Sequence, residues 1–311
     1  MIVTVTLNPA LDRTLEVPDF QVGQHAQAQL VALVPAGKGV NVARGLAALG
    51  MEACACGLVG RGELETYRRS LERDGVRFAL TPVMGLTRTD TTILDPRSGT
   101  TTHLREQGFT VAREEIERLR AQLAETIRIA GRGVTVAFSG SLPPGVELAD
   151  FVTLLEQCHS AGAKVVADTS GEALRVAAES RCVHTIKPNL EELGECLGGE
   201  VSRRDAPQRA AGLLDRVRTV LLTLGEEGAY AMTKEGAVGF TCKVERSRVR
   251  NLVGCGDAFL AGWLYGLEMS RDVREALRWA VASGAASACS ATAAGYARAD
   301  VAHYLPLCTP I

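Results

Sequence analysis

"NLVGCGDAFLAGWLYG" occupies residues 251–266. Two glycines bracket Cys255, Asp257 follows, and an apolar run of helical length begins. A glycine-rich turn at a helix start exposes several backbone N–H groups, and the helix dipole adds partial positive charge. Such a nest binds an anion. Aspartate is a poor anion ligand, but it suits a base held beside one. Phosphoryl transfer needs that pairing of N–H donors with a carboxylate that takes a proton from the attacking hydroxyl. Aspartate is also a common N-cap after a tight turn, and the segment alone leaves both readings open.

The surrounding chain alternates short β-branched runs with helix-period segments. "IVTVTL" (2–7), "GVTVAFSG" (133–140), "AKVVAD" (163–168), "VHTIKPN" (183–189) and "VRTVLLTLG" (217–225) predict buried strands. "GVNVARGLAALG" (39–50), 112–130 and 147–160 predict helices between them. Continuous apolar strands separated by amphipathic helices indicate a mainly parallel sheet covered on both faces. Residues 13–34 and 88–106 break this rhythm with alternating polar and apolar positions, and "DPRSG" marks a hairpin turn. They predict a small antiparallel sheet projecting from the main one. The run "AVASGAASACSATAAG" (280–295) predicts a close-packed buried helix rather than a membrane span.

The chain has 311 residues, 46% hydrophobic and 23% charged, with a formal net charge of −2. That balance fits a globular enzyme and provides no global basic field for nucleic acid or anionic lipid. Nine scattered cysteines with no C-x-x-C pair argue against a disulfide framework or a zinc knuckle and point to a reducing cytosol. The start "MIVTVTLNPALDR" has no basic n-region, so a cytoplasmic location is expected. "ALVPAGKG" (32–39) fails as a Walker loop, and the sixth position from Gly254 is Phe259, so a dinucleotide fingerprint fails too.

"PAGKGVNVARGLAALG" (35–50) together with "NLVGCGDAFLAGW" (251–263) resembles the two signatures of the ribokinase/PfkB carbohydrate kinases. The resemblance continues in order through "LNPALD" (7–12), "SGSLPPGV" (139–146), "DTSGEAL" (168–174), "IKPNLEEL" (186–193) and "LTLGEEGA" (222–229), and so covers essentially the whole chain. Within the family the chain looks like the sugar-phosphate kinases: 1-phosphofructokinase, tagatose-6-phosphate kinase and the minor 6-phosphofructokinase. The resemblance implies one ribokinase-like α/β/α domain over 1–311 with a small β-sheet lid. It also implies ATP with Mg²⁺, a phosphorylated ketohexose as acceptor, first of all fructose 1-phosphate, and a homodimer formed through the lid.

Site roles follow from the same resemblance. Asp257 is the catalytic base, and the backbone of Gly254, Cys255 and Gly256 forms the anion hole. Asn189 and Glu192 organise Mg²⁺, in part through water. Lys187, Asn189, Thr223, Gly225, Gly228, Gly256 and Ser283 bind ATP, with Gly284 beside Ser283. Asp12, Gly37, Lys38, Asn41, Arg88, Arg105 and Ser139 bind the sugar phosphate. The chain departs from the family pattern at Ala36, where a glycine is usual, and at Cys255, where alanine is usual. In "GQHAQAQ" (23–29) Gln27 stands where relatives often carry a cation, and His25 or Arg105 is the expected substitute. Asn and Glu at N-x-x-E are also ordinary helix-start residues. A non-catalytic sugar-phosphate sensor is the reading from another class; such a sensor needs neither Asp257 nor N-x-x-E. Trp263, Trp279 and the pair Cys54 and Cys56 are expected to be packing residues, and His103, His159, His184 and His303 have no catalytic spacing.

Overall fold

The computed structural model describes residues 1–293 and 295–311. In chain order its strands are β1 (Ile2–Thr6), β2 (Ala10–Glu16), β3 (Gln29–Ala36), β4 (Ala53–Gly60), β5 (Arg77–Val83), β6 (Arg88–Asp95), β7 (Thr100–Leu104), β8 (Thr135–Ser139), β9 (Lys164–Asp168), β10 (Val183–Ile186), β11 (Thr219–Thr223), β12 (Ala229–Thr233), β13 (Gly236–Cys242) and β14 (Cys308–Pro310). Ten form one sheet in the order β14-β13-β12-β11-β10-β9-β8-β1-β4-β5. Pairing is parallel from β11 across to β5. It is antiparallel among β11, β12, β13 and β14.

Alternate residues of the strands enter two separate cores. Val3, Val5, Cys56, Val136, Phe138 and Val165 pack on the side of the helices Arg113–Ala130, Leu148–Ser160, Gly171–Glu179 and Leu190–Leu197. Ile2, Ala53, Ala55, Ala137, Val166 and Leu221 face the helices Lys38–Ala48, Leu64–Arg73, Cys255–Ser270 and Val273–Ala288. The result is the three-layer α/β/α sandwich implied by continuous apolar strands. Cys54 and Cys56 are buried side by side in the first core and Trp263 in the second, as packing residues.

β1 lies between β4 and β8, so the chain leaves it in opposite directions. Open parallel sheets bind ligands at such a switch point, outside the carboxyl ends of the strands. From that edge rises a four-stranded sheet in the order β3-β2-β6-β7. The expectation of a wholly antiparallel lid needs correction. β2–β3 and β6–β7 are antiparallel, but the central β2–β6 pair is parallel. Its two strands continue out of β1 and β5, which themselves run the same way. The run 280–295 also needs correction: the helix ends at Ala288, and Ala294 lies outside the described residues. The strand expected over 183–189 stops at Ile186, because Pro188 cannot donate to a ladder and Asn189 caps the next helix.

The lid is rooted by two side chains. The buried Tyr67 hydroxyl lies 2.6 Å from the Ala10 carbonyl and 2.8 Å from that of Ala36, and it accepts the Ala36 N–H at 3.3 Å. Arg44 donates to the Pro35 carbonyl at 2.6 Å, to Asp74 at 2.7 Å and to Ser70 at 2.7 Å. Together they tie the starts of the lid to two helices of the sandwich. Tyr67→Phe leaves buried carbonyls without their donor and should cost about 1–3 kcal/mol in denaturant unfolding. A stability unchanged in urea would mean that the hydroxyl does not hold the lid.

Candidate active site

The helix Cys255–Ser270 begins at Gly254, which caps it in the left-handed region at φ 82°. Non-glycine residues rarely adopt that conformation. The helix starts there, with the Cys255 N–H in a long 3.4 Å bond to the Leu252 carbonyl. Asp257, one residue further on, is buried, with 5% of its surface exposed. Its Oδ2 accepts from Asn41 Nδ2 at 2.9 Å, across 216 positions of chain. Burial pushes the carboxyl up to about 7; Lys38 opposes the rise, Asp168 adds to it, and the Asn41 bond lowers it. An aspartate that titrates near neutrality is matched to proton removal at physiological pH. Asn41, expected at the sugar, holds Asp257 through its amide nitrogen.

The turn before the helix Lys38–Ala48 is fixed by contact. Gly37 has φ 139°, and a Cβ there would meet Thr6 Cγ2 at 2.7 Å and Pro9 Cα at 3.2 Å. This close approach presses the helix start onto the end of β1. Lys38 then reaches inward, with Nζ 3.3 Å from Asp168 Oδ1 and 3.9 Å from Glu192 Oε1. Asp168 raises the Lys38 value above that of a free lysine, so the side chain stays charged. Its ion-pair partners are the carboxylates of Asp168 and Glu192.

Asp168 ends β9 and is fully buried. Its Oδ1 also meets Lys187 Nζ at 3.1 Å, and Lys187 itself is buried. A Cβ on Gly256 would lie 3.6 Å from that Nζ, so Lys187 stands against the anion hole. The two lysines hold the Asp168 carboxyl below its ordinary value despite burial. Its Oδ2 is buried without a hydrogen-bond partner among the described residues. Ser139 ends β8 in register with Asp168, and its Oγ is likewise buried and unpartnered.

The N-x-x-E residues form a reciprocal capping box. Asn189 Oδ1 accepts from the Glu192 N–H at 2.8 Å, and Glu192 Oε2 accepts from the Asn189 N–H at 2.9 Å. Both residues are thus engaged in starting the helix Leu190–Leu197, which leaves Glu192 Oε1 facing Lys38. Burial raises the Glu192 carboxyl. Asn189 bridges to Thr223, the last residue of β11. Gly225 and Gly228 then turn the chain with φ 65° and 108°, so the glycine loop lies beside the capping box. Ser283 is fully enclosed between helices, its Oγ against Gly262. Gly284 instead faces the Cys255 carbonyl, 3.6 Å from where its Cβ would stand.

A second cluster sits on the lid. Asp12 on β2 and Asp90 on β6 are register partners. Burial and the Asp90 charge push the Asp12 carboxyl up to about 6, against Arg88, Arg44 and Arg105. Arg88 spreads over long contacts: 3.4 Å to the Pro9 carbonyl, 3.3 Å to that of Glu106, 3.4 Å to that of Asn8 and 3.4 Å to Asp90 Oδ1. Arg105 is exposed just past the end of β7, and His25 and Gln27 are exposed in the loop between β2 and β3. Sequence reasoning missed Asp168, Asp90 and Arg44. For Asp168 a signal exists in "DTSGEAL", which sets an aspartate at a strand end; the other two have none.

A buried aspartate at a glycine-capped helix, beside lysines and carboxylates and under a lid carrying further charged groups, is an arrangement that suits phosphoryl transfer. The profile of the pfkB family carbohydrate kinases matches residues 5–297. The chain belongs to the PfkB family of carbohydrate kinases.

This PfkB-family chain is similar to a 1-phosphofructokinase of Bacillus subtilis, 32% identical over 93% of both chains. It is also similar to one of Rhodobacter capsulatus, 32% identical over 90% of this chain and 88% of that one. Among solved structures, phosphofructokinase-2 from Escherichia coli in complex with fructose-6-phosphate superposes with a TM-score of 0.89 at 26% identity, covering 98% of each chain.

A role for Asp257 as base in this PfkB-family site requires the ionised carboxylate, so kcat/KM should rise with pH through about 7 and be lost below it. Asn41→Leu removes a bond that favours the charged carboxylate, and the acid limb should move to higher pH. A limb that stays in place would separate Asn41 from the base. Asp257→Asn should lower kcat by at least ~10²-fold in a folded protein. The raised folded value means that native Asp257 stays protonated after the unfolded chain has ionised, so wild type loses stability as pH climbs from about 4 to about 7. The asparagine variant should therefore melt higher than wild type at pH 8, with the gap closing below pH 4. An equal gap at both pH values would contradict the burial account.

Proposed function

We propose that the chain transfers the γ-phosphoryl group of ATP to a phosphorylated ketohexose, with fructose 1-phosphate as acceptor and fructose 1,6-bisphosphate as product. The observation that carries this reading is the buried Asp257, hydrogen-bonded by Asn41 at the open N-terminus of a helix whose Gly256 faces Lys187. Asp257 Oδ2 takes the proton of the acceptor hydroxyl as its oxygen attacks the γ-phosphorus. The N–H groups of Gly254, Cys255 and Gly256 and the ammonium groups of Lys187 and Lys38 meet the charge on the transferring group. The acceptor oxygen gains the phosphoryl group, and ADP leaves.

Mg²⁺ fits the carboxylate donors better than the Asn189 amide. Asp168 Oδ2 is buried without a partner, and Glu192 Oε1 faces the same lysine, whereas Asn189 Oδ1 is occupied in the cap. Hard carboxylate oxygens are what Mg²⁺ takes, so Asp168 and Glu192 would hold it, directly or through water. When bound it neutralises charge on the ATP phosphates. Thr223, Gly225 and Gly228 line the nucleotide side.

In this reading Asp12 and Asp90 accept from sugar hydroxyls, and Arg88 and Arg105 meet the phosphate already on the acceptor. Arginine holds such a dianion with paired charge-assisted bonds. The exposed Leu30 and Leu33 of β3 and Leu104 of β7 suit a second copy of the chain, so a lid-mediated homodimer belongs to the proposal. A cytosolic setting also belongs to it, consistent with nine free cysteines.

The test is ADP release across fructose 1-phosphate, fructose 6-phosphate, tagatose 6-phosphate and free hexoses. Fructose 1-phosphate should give the highest kcat/KM. Arg88→Ala should lower that value by roughly 10²-fold, from losing ~2–3 kcal/mol of charge-assisted bonding, with the KM for ATP unchanged. A preference for free fructose, or an equal effect of Arg88→Ala on both sugars, would replace a sugar-phosphate kinase with a hexose kinase. No ATP turnover with any sugar would favour the sensor.

A further inference from the structure

We infer that Cys242 and Cys308 form a two-electron oxidation site, closed to a disulfide by hydrogen peroxide. The inference is independent of the acceptor sugar. The two residues are register partners on β13 and β14. The Ile311 N–H donates to the Gly239 carbonyl at 3.2 Å, which makes Gly239–Ile311 a hydrogen-bonded pair. Alternation then puts Phe240–Pro310 and Cys242–Cys308 at non-hydrogen-bonded positions, where a proline without an N–H is tolerated. Such pairs bring Cα atoms to about 4.5 Å with side chains close together, within the roughly 4.4–6.8 Å that a disulfide spans.

The side chains also converge. Cys242 Sγ lies 3.9 Å and Cys308 Sγ 3.5 Å from one atom, the carbonyl oxygen of Tyr304. Both thiols are free. Cys242 is half-buried, which admits a small oxidant, and Cys308 is buried behind it. Cys242, the more exposed of the two, is the sulfur that meets the oxidant, and the buried Cys308 is the thiol that resolves.

In the first step the Cys242 sulfur attacks one peroxide oxygen. The O–O bond breaks, Cys242 becomes a sulfenic acid, and the other oxygen leaves as water after taking a proton. In the second step the Cys308 sulfur attacks the sulfenic sulfur, the S–O bond breaks, and a second water leaves with the Cys308 proton. Two thiols have lost two electrons to one peroxide.

The other close pair does not meet these conditions. Cys54 and Cys56 have sulfurs 4.0 Å apart, but they are buried in the core with parallel side-chain directions on one strand. Closure at Cys242–Cys308 ties the three-residue strand β14 to the sheet and closes a long loop, which constrains the unfolded chain.

The test is brief treatment of the full-length protein with hydrogen peroxide, then denaturation, alkylation and peptide mapping. Two of the nine thiols should become resistant to alkylation until dithiothreitol is added. The linked peptides should carry Cys242 and Cys308, and Tm should rise by ~5 °C. Cys242→Ser and Cys308→Ala should each abolish both the link and the Tm rise. Nine alkylatable thiols after peroxide, a link mapping to Cys54–Cys56, or Cys242 over-oxidised with Cys308 still free would each overturn the inference.

Discussion

The ion pair between Asp168 and Lys187, 3.1 Å long and closed from solvent, sets where the other groups of the site stand. A buried charge is tolerated only when paired, and removing one partner of such a pair costs about 3–5 kcal/mol. Asp168 ends β9, Lys187 follows β10, and Lys38 enters from the start of a helix on the opposite layer. One carboxylate therefore fastens three chain segments at the carboxyl edge of the sheet. Gly256 lies beside Lys187, a Cβ there standing 3.6 Å from Nζ, so the helix that carries Asp257 starts at the same cluster.

The field of that cluster decides what Asp257 can do. Burial favours the protonated form of Asp257. Lys38 and the Asn41 amide favour the ionised form, the Asp168 charge disfavours it, and the balance falls at about 7. Glu192 is raised by the same burial and lowered by the same lysines. A buried carboxyl held that high gives up stability as pH rises toward neutrality. The lid repeats the pattern with other parts: Asp12 beside Asp90, countered by Arg88 and Arg105, stands at about 6. Two carboxylate-rich clusters flank the switch point, each tuned by cations that come from distant elements.

Part of this was legible in residue order. Alternation of apolar strands with helical periods implied the layered sheet, because strands buried on both faces must be apolar throughout. The glycines around Cys255 and Lys38 marked turns where backbone approaches backbone, and Gly37 against Thr6 and Pro9 is such an approach. The lid segments stood out by their period, but not their pairing. β2 and β6 lie side by side in parallel because both continue strands of the main sheet, which no local pattern encodes. N-x-x-E was visible, but whether its oxygens cap a helix or face a metal depends on groups elsewhere; Asn189 caps, while one oxygen of Glu192 remains toward Lys38.

The sequence by itself determined the layered fold, the family signatures and Asp257 at a glycine-capped helix start, because strand burial, turn geometry and capping are properties of neighbouring residues. Only the tertiary structure decided that Asp168 is the buried pivot, that Asn41 serves the base, that Ser283 is enclosed between helices and that Cys242 faces Cys308. Those contacts join residues tens to hundreds of positions apart. Their energies arise from shared burial and Coulomb attraction over a few ångströms, which appear only once the chain has closed around them.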